Sequence, residues 1–290
     1  MLAGMHAHIT GPYDLARQNE YFGGWTQPVG DARTIVMAFP VEGWTHSAAV
    51  LLRQDTPGTV TGEVQGPAAA WRQALEALSL DVDGGGYPQV GERDPVIGGL
   101  QRRHAYLRPV LFHSPYEAAC AFIIGHRLRI EQGRAIRQRM ARAHGERFEG
   151  AGTTVHAFPP PQALLRLGAF PGVNEEKIAR LHGVAEAALD GRLDRARLRG
   201  LPLAEALAGV KRLRGVGDFF AVAIVMRGAG LVDSLPGDEL TRAGVQRWYD
   251  LPAPPSDAEV ARLAQAWRPY RMWCSVLIHA AERRARAAAL

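Results

Sequence analysis

The chain has 290 residues, 47% of them hydrophobic, and carries 34 basic against 29 acidic side chains for a formal net charge of +5. That length buries a sizeable core in one large or two modest domains, and a mild basic excess supplied nearly all by arginine suits a polyanionic partner without demanding one. Only Cys120 and Cys274 could form disulfides or hold a cluster; both sit in apolar helical contexts and read as buried, reduced thiols. With no signal peptide and no apolar run of membrane length, the protein is expected in the cytoplasm.

Residues 1–27 are polar and aromatic without a clear period. Residues 33–39 and 48–53 are rich in β-formers, and Asp55-Thr56-Pro57-Gly58 is a turn signal before the alternating stretch 59–64, so two or three antiparallel strands are expected. Pro67 then opens a helix with Trp71, Leu75 and Leu78 on one face. Gly84-Gly85-Gly86 and the Pro/Gly-spaced region to Leu100 read as a connection, and the run from Asp94 to Pro109 is placed to cover one face of the helical part of the chain. Ser114-Pro115-Tyr116-Glu117 is a helix opening with Ser114 as N-cap, and the helix continues through Ile124 and then Gly125-His126-Arg127-Leu128-Arg129-Ile130. Residues 132–144 form a second helix with a solvated, arginine-rich face. Asn174 caps a helix to Leu189, and Ser256 with Glu259 makes a capping box. Trp267-Arg268-Pro269-Tyr270-Arg271 leads into a last core helix with an arginine-rich tail.

The centre of the chain is residues 211–242. Leu203, Leu207, Val210 and Leu213 recur at helical spacing before the turn Leu213-Arg214-Gly215-Val216-Gly217, and residues 219–226 are apolar on every side, as in a helix sealed inside a core. Gly215 and Gly217 can take positive φ and admit a partner close to the backbone. A turn that aims N–H groups outward at a helix start, ringed by Lys211, Arg212 and Arg214, suits a phosphate diester. Asp238 follows Leu235-Pro236-Gly237 and opens the next helix. An aspartate there is often a simple N-cap, and Asp233 is a rival carboxylate without the Leu-Pro lead-in.

Leu213 to Gly217, then Arg227-Gly228, then Leu235-Pro236-Gly237-Asp238, in that order and spacing, resemble the helix-hairpin-helix DNA glycosylases, most of all the 3-methyladenine DNA glycosylase II type. The resemblance covers most of residues 109–290 and, more loosely, the segment before them. It implies a mainly α fold: a small α/β domain over residues 1–108, made of an antiparallel sheet and a helix, then a helical glycosylase domain over 109–290. It also implies a monomer that works at the nucleoid on double-stranded DNA with damaged bases, flipping alkylated or deaminated purines out of the duplex and hydrolysing their N-glycosidic bonds. Gly215, Val216, Gly217, Arg214 and Lys211 would hold the backbone, and His126 and Arg127 stand where relatives place a glutamine and a wedge. His126 reads equally as an ordinary histidine on a basic helix.

Asp238 would stabilise the oxocarbenium-like sugar, which a single carboxylate can do when the leaving base already carries positive charge. Phe219, Phe122 and Trp273 are the candidate walls of the base pocket, with plain core as the alternative for Phe219. Relatives that cleave the strand carry a lysine at the position of Phe219; a phenyl ring forms no imine, so a monofunctional enzyme is expected. No cofactor is required and no iron–sulfur cluster is expected. By resemblance, the main-chain carbonyls of Lys211, Leu213 and Val216 would hold Na⁺ or K⁺. His279-Ala280 replaces an aromatic pair of the best-known members, which implies a more open or more polar pocket. A helix-hairpin-helix protein that binds DNA without catalysis is the alternative reading.

Overall fold

The computed structural model describes residues 3–18, 27–29, 31–104, 106–150, 152–235 and 237–288. Pro236, part of the motif before Asp238, lies outside them. Five strands, β1 (Ala3–His8), β2 (Gln27–Val29), β3 (Asp31–Pro40), β4 (Ser47–Thr56) and β5 (Thr59–Gln65), with the short helix α1 (Leu15–Gln18) after the first, form an antiparallel sheet in the order β1-β5-β4-β3-β2. Two or three strands were expected; both edge strands, β1 and β2, were missed. β1 reads Ala-Gly-Met-His-Ala-His; its alternation rests on small or weakly β-forming residues, with Met5 and Ala7 half-buried against the core, and its pairing from Ala3 opposite Val64 to His8 opposite Thr59 makes it a strand. Alternation along β4 sends Ala48, Val50 and Leu52 to one face, where they pack with Trp71, Ala74 and Leu78 from α2 (Ala69–Ala77) and its C-cap.

Helices α3 (Pro88–Arg93) and α4 (Pro95–His104), with Tyr87 just before them, carry Tyr87, Val90, Ile97 and Leu100 into a core shared with the last helices of the chain. This is the covering role expected of the 94–109 run. Arg108, with no exposed surface, fastens this crossing by donating to the carbonyls of Thr10, Pro12, Ser79 and Val82. A buried guanidinium is tolerable only when its donors are met, and here carbonyls meet them without an acid.

α5 (Pro115–Gly125) starts as the sequence requires, with Ser114 accepting the Glu117 N–H. α6 (Ile130–His144) follows. A hairpin then appears that the sequence pattern does not announce: β6 (Arg147–Gly150) and β7 (Thr153–His156), whose Phe148 and Val155 cover Val36 and Ala49 on the sheet's second face. α7 (Pro161–Leu165), α8 (Glu175–Leu189, capped by Asn174), α9 (Arg195–Gly200), α10 (Leu203–Lys211) and α11 (Asp218–Ile224) complete a second core with α5. Trp44, from the loop between β3 and β4, enters this core and donates its indole N–H to the Ala188 carbonyl at 3.0 Å.

α11 continues into one π-helical segment, Val225–Ala229, which Gly230 ends in the left-handed conformation. α12 (Glu239–Trp248), α13 (Asp257–Leu263) and α14 (Arg271–Ala288) close the fold. Cys120 on α5 and Cys274 on α14 are free and buried, and burial pushes both thiols up. No helix among the described residues is long and apolar enough to cross a membrane.

Candidate active site

Two helices joined by a tight turn, α10 and α11, form the hairpin. The turn closes by the Val216 N–H donating to the Leu213 carbonyl at 3.0 Å, while Leu213 and Val216 bury their side chains. Gly215 sits at φ +83°, and a Cβ there would meet the Arg180 side chain at 2.6 Å, so both conformation and space favour glycine. Gly217 behaves differently from the expectation: its φ is −86°, and it serves as the N-cap of α11. Lys211, Arg212 and Arg214 are exposed around the turn, but Lys211 is ion-paired with Asp218 in the first turn of α11, which offsets part of the positive charge expected there.

α11 is not sealed. Ala221 and Ile224 are buried, yet Phe220, Val222 and Ala223 are only half-buried and Phe219 is 69% exposed. The open side of the helix borders a cleft of ≈ 1020 Å³ bounded also by α5, the 125–130 turn, the start of α6 and the face of α14 that carries His279 and Ala280. On one side Phe122 and Phe220 lie 5.7 Å apart between ring centroids, and His126 meets Phe220 edge-on at 5.4 Å. Facing the same space are Arg137, Arg227 and Arg283. Burial, with the like charge of Arg283 beside it, brings the Arg227 guanidinium down to about 10. Burial likewise brings Arg137 to about 10, against the pull of Glu117.

The Arg227-Gly228 pair has a structural explanation. Arg227 donates to the Val110 carbonyl at 2.9 Å, and its own carbonyl accepts the Phe112 N–H at 2.7 Å, which ties the π-helical turn to the segment leading into α5. A Cβ on Gly228 would stand 2.6 Å from Pro115 Cα, so only glycine lets α5 approach this closely.

At the cleft mouth, His126 ends α5 and Arg127 takes φ +59°, a left-handed conformation that costs a non-glycine residue free energy. Lys177 of α8 holds this turn by donating to the carbonyls of Ile124 and His126 at 2.8 and 2.9 Å. Its role was invisible in the sequence, where it is one more charge on an amphipathic helix. Ile130 was missed as well. At 74% exposed it is the most open of the large apolar side chains described, and with Phe219 it lines the cleft.

Trp273 requires a correction. It is 1% exposed, packed edge-on against Tyr87 at 5.2 Å and covered by the Arg108 guanidinium 4.9 Å from its ring, so it belongs to the core shared with α3 and α4 and offers no wall to the cleft. Phe122 and Phe219 do line the cleft.

Asp238 is the N-cap of α12: Oδ1 accepts the Thr241 N–H at 2.7 Å and Oδ2 the Thr241 hydroxyl at 2.8 Å. His279 Nε2 lies 3.2 Å from Oδ1. Burial alone would raise this carboxyl, but hydrogen bonds from His279 and Thr241 and the charge of His279 outweigh it and hold the group below its ordinary value. Asp233 is used up elsewhere, its two oxygens taken by Arg268 and Arg271 at 2.7 Å each. Glu239 is exposed to solvent.

No protein-family model matches the chain. The structure overlays a 3-methyladenine DNA-glycosylase from Archaeoglobus fulgidus with a TM-score of 0.78 over 96% of this chain and 98% of that one, at 18% identity. An 8-oxoguanine glycosylase/lyase from Clostridium acetobutylicum, in complex with DNA, overlays with a TM-score of 0.70 over 98% of each chain at 15% identity. The fold is therefore that of the helix-hairpin-helix DNA glycosylases, as the motifs implied. In sequence, a DNA-3-methyladenine glycosylase of Bacillus subtilis (strain 168) is 20% identical over 205 residues, 69% of this chain and 68% of its own length.

Proposed function

We propose that this protein is a monofunctional DNA glycosylase that removes alkylated or deaminated purines flipped from double-stranded DNA. The observation that carries the reading is a hydrogen-bonded carboxylate, Asp238, held below its ordinary value, whose partner His279 lines a large cleft walled by aromatic rings and guanidinium groups. The cleft has room for a nucleotide, Phe122 and Phe220 offer faces for stacking, and the charged rim with the hairpin suits the phosphate backbone. Cleavage breaks the bond between C1′ and the base nitrogen, with the electron pair leaving on the base. Asp238 stabilises the cationic sugar, and water completes the hydrolysis.

Phe219, at the cleft rim, supplies no amine, so the abasic product is released without strand cleavage. Around the hairpin, the carbonyls of Lys211, Leu213 and Val216 would hold a Na⁺ or K⁺; that of Leu213 accepts one hydrogen bond and keeps a second lone pair. The test uses duplex oligonucleotides with a single hypoxanthine, and separately methylated DNA, read by alkaline cleavage of the abasic site and by chromatography of freed bases. Release by wild type and none by Asp238→Asn supports the reading, and no trapping by borohydride is expected. Binding without release of any base favours a non-catalytic DNA-binding protein, in which the capping of α12 is all that Asp238 does.

A further inference from the structure

Asp238 does not itself line the large cleft. Its carboxylate borders a separate hollow of ≈ 280 Å³ shared with Gly237, Thr241 and Arg242, whereas the residue beside it that reaches the cleft is His279. The imidazole is fixed by more than the carboxylate. Nε2 lies 2.8 Å from Thr241 Oγ1, which is in turn 2.8 Å from Ser275 Oγ and from Asp238 Oδ2, so four side chains from two elements form one closed network. Ser275 and Thr241 are buried, and the network has little freedom to turn.

We propose that His279 is the positioning residue through which Asp238 acts: it fixes the carboxylate's direction and is the member of the pair that a flipped nucleotide meets first. The proposal rests on the reading of Asp238 as the catalytic carboxylate. A phenyl ring at this position could stack on a base but could neither donate to Asp238 nor balance its charge. The charged partner of the imidazole is Asp238 at the start of α12; Arg227 from the π-helical turn and Arg283 one turn further along α14 line the same cleft as His279, and Glu282, also on α14, is engaged by Arg247. Without the histidine, Asp238 keeps its burial but loses a donor and a neighbouring positive charge, so ionisation requires higher pH.

The experiment is a pH–rate profile of single-turnover base release for wild type, His279→Gln and His279→Phe, with Asp238→Asn in parallel. The acid limb of His279→Phe is expected to move up by about one pH unit with a plateau at least about tenfold lower, and His279→Gln, which can still donate, to lie between. Thermal melting and duplex binding identify any variant that fails to fold, in which case the glutamine variant carries the test alone. An acid limb that coincides with wild type in every folded variant overturns the proposal, even if the rate falls. If Asp238→Asn releases base as wild type does, it is the assignment of Asp238 that fails, and the two failures are distinguishable.

Discussion

Asp233 and Asp238 lie in the same loop, between the π-helical turn and α12, and they are held in opposite ways. Asp233 is gripped at both oxygens by arginines from the segment that opens α14, and its carbonyl accepts from Arg271 as well. It works as a staple between two ends of the helical core. Asp238 is held by a backbone amide, a hydroxyl and an imidazole. Those partners keep the charge without matching it by a full counter-ion at each oxygen. Two carboxylates five residues apart thus become a strut and a candidate catalyst, and the difference lies in which side chains meet each one.

The sharpest way to break this comparison is to remove each charge in turn. Asp238→Asn keeps a capping oxygen for α12 and should lower base release by about 10²–10³-fold, with duplex binding retained, measured by single-turnover kinetics and titration of labelled DNA. A fall in melting temperature with unchanged release would make Asp238 a cap only. Asp233→Asn should do the reverse: a loss of about 1–2 kcal/mol in denaturant unfolding, because Arg268 and half-buried Arg271 lose the negative charge they share, and unchanged release at temperatures where the variant is folded.

Acid sharpens the comparison further. The folded Asp238 carboxyl is lowered from 3.8, so its stabilising contribution is full above that value and is lost as pH falls through the folded value. The stability gap between wild type and Asp238→Asn should therefore narrow as pH falls below the ordinary carboxylate range in acid denaturation, and a gap that widens would contradict the hydrogen-bonding pattern. The smallest expected effect is at the cleft mouth. Ile130→Ala, at an exposed position, should leave stability unchanged and slow release from duplex DNA a few-fold while sparing a single-stranded substrate, as expected if this apolar side chain enters the stack on base flipping. Equal slowing on both substrates would remove Ile130 from that role.

Much of this could be read without coordinates wherever the signal is local. Ser114, Asn174 and Ser256 cap the helices they precede because capping needs only a side-chain oxygen within three residues of a free N–H. The turn at 213–217 was legible for the same reason, as was Asp238 at the head of α12. The hairpin β6–β7 and the strand β1 were not, since neither has a strong apolar period and each is created by its partner. Trp273 was read as a pocket wall because an aromatic on a last helix looks alike in core and cleft; burial against residues of the α3–α4 region, far earlier in the chain, decides which it is.

The order of most helices, their caps, the glycine turn and the position of the carboxylate were determined by sequence alone, because each depends on backbone geometry over a few residues. Tertiary structure decided that Asp233 is gripped by two guanidiniums while Asp238 meets an amide, a hydroxyl and an imidazole, that α11 opens one side to a cleft, that Lys177 braces the turn at its mouth, and that His279 rather than the carboxylate lines the cleft. These depend on contacts between residues tens of positions apart, whose distances and desolvation no local pattern encodes.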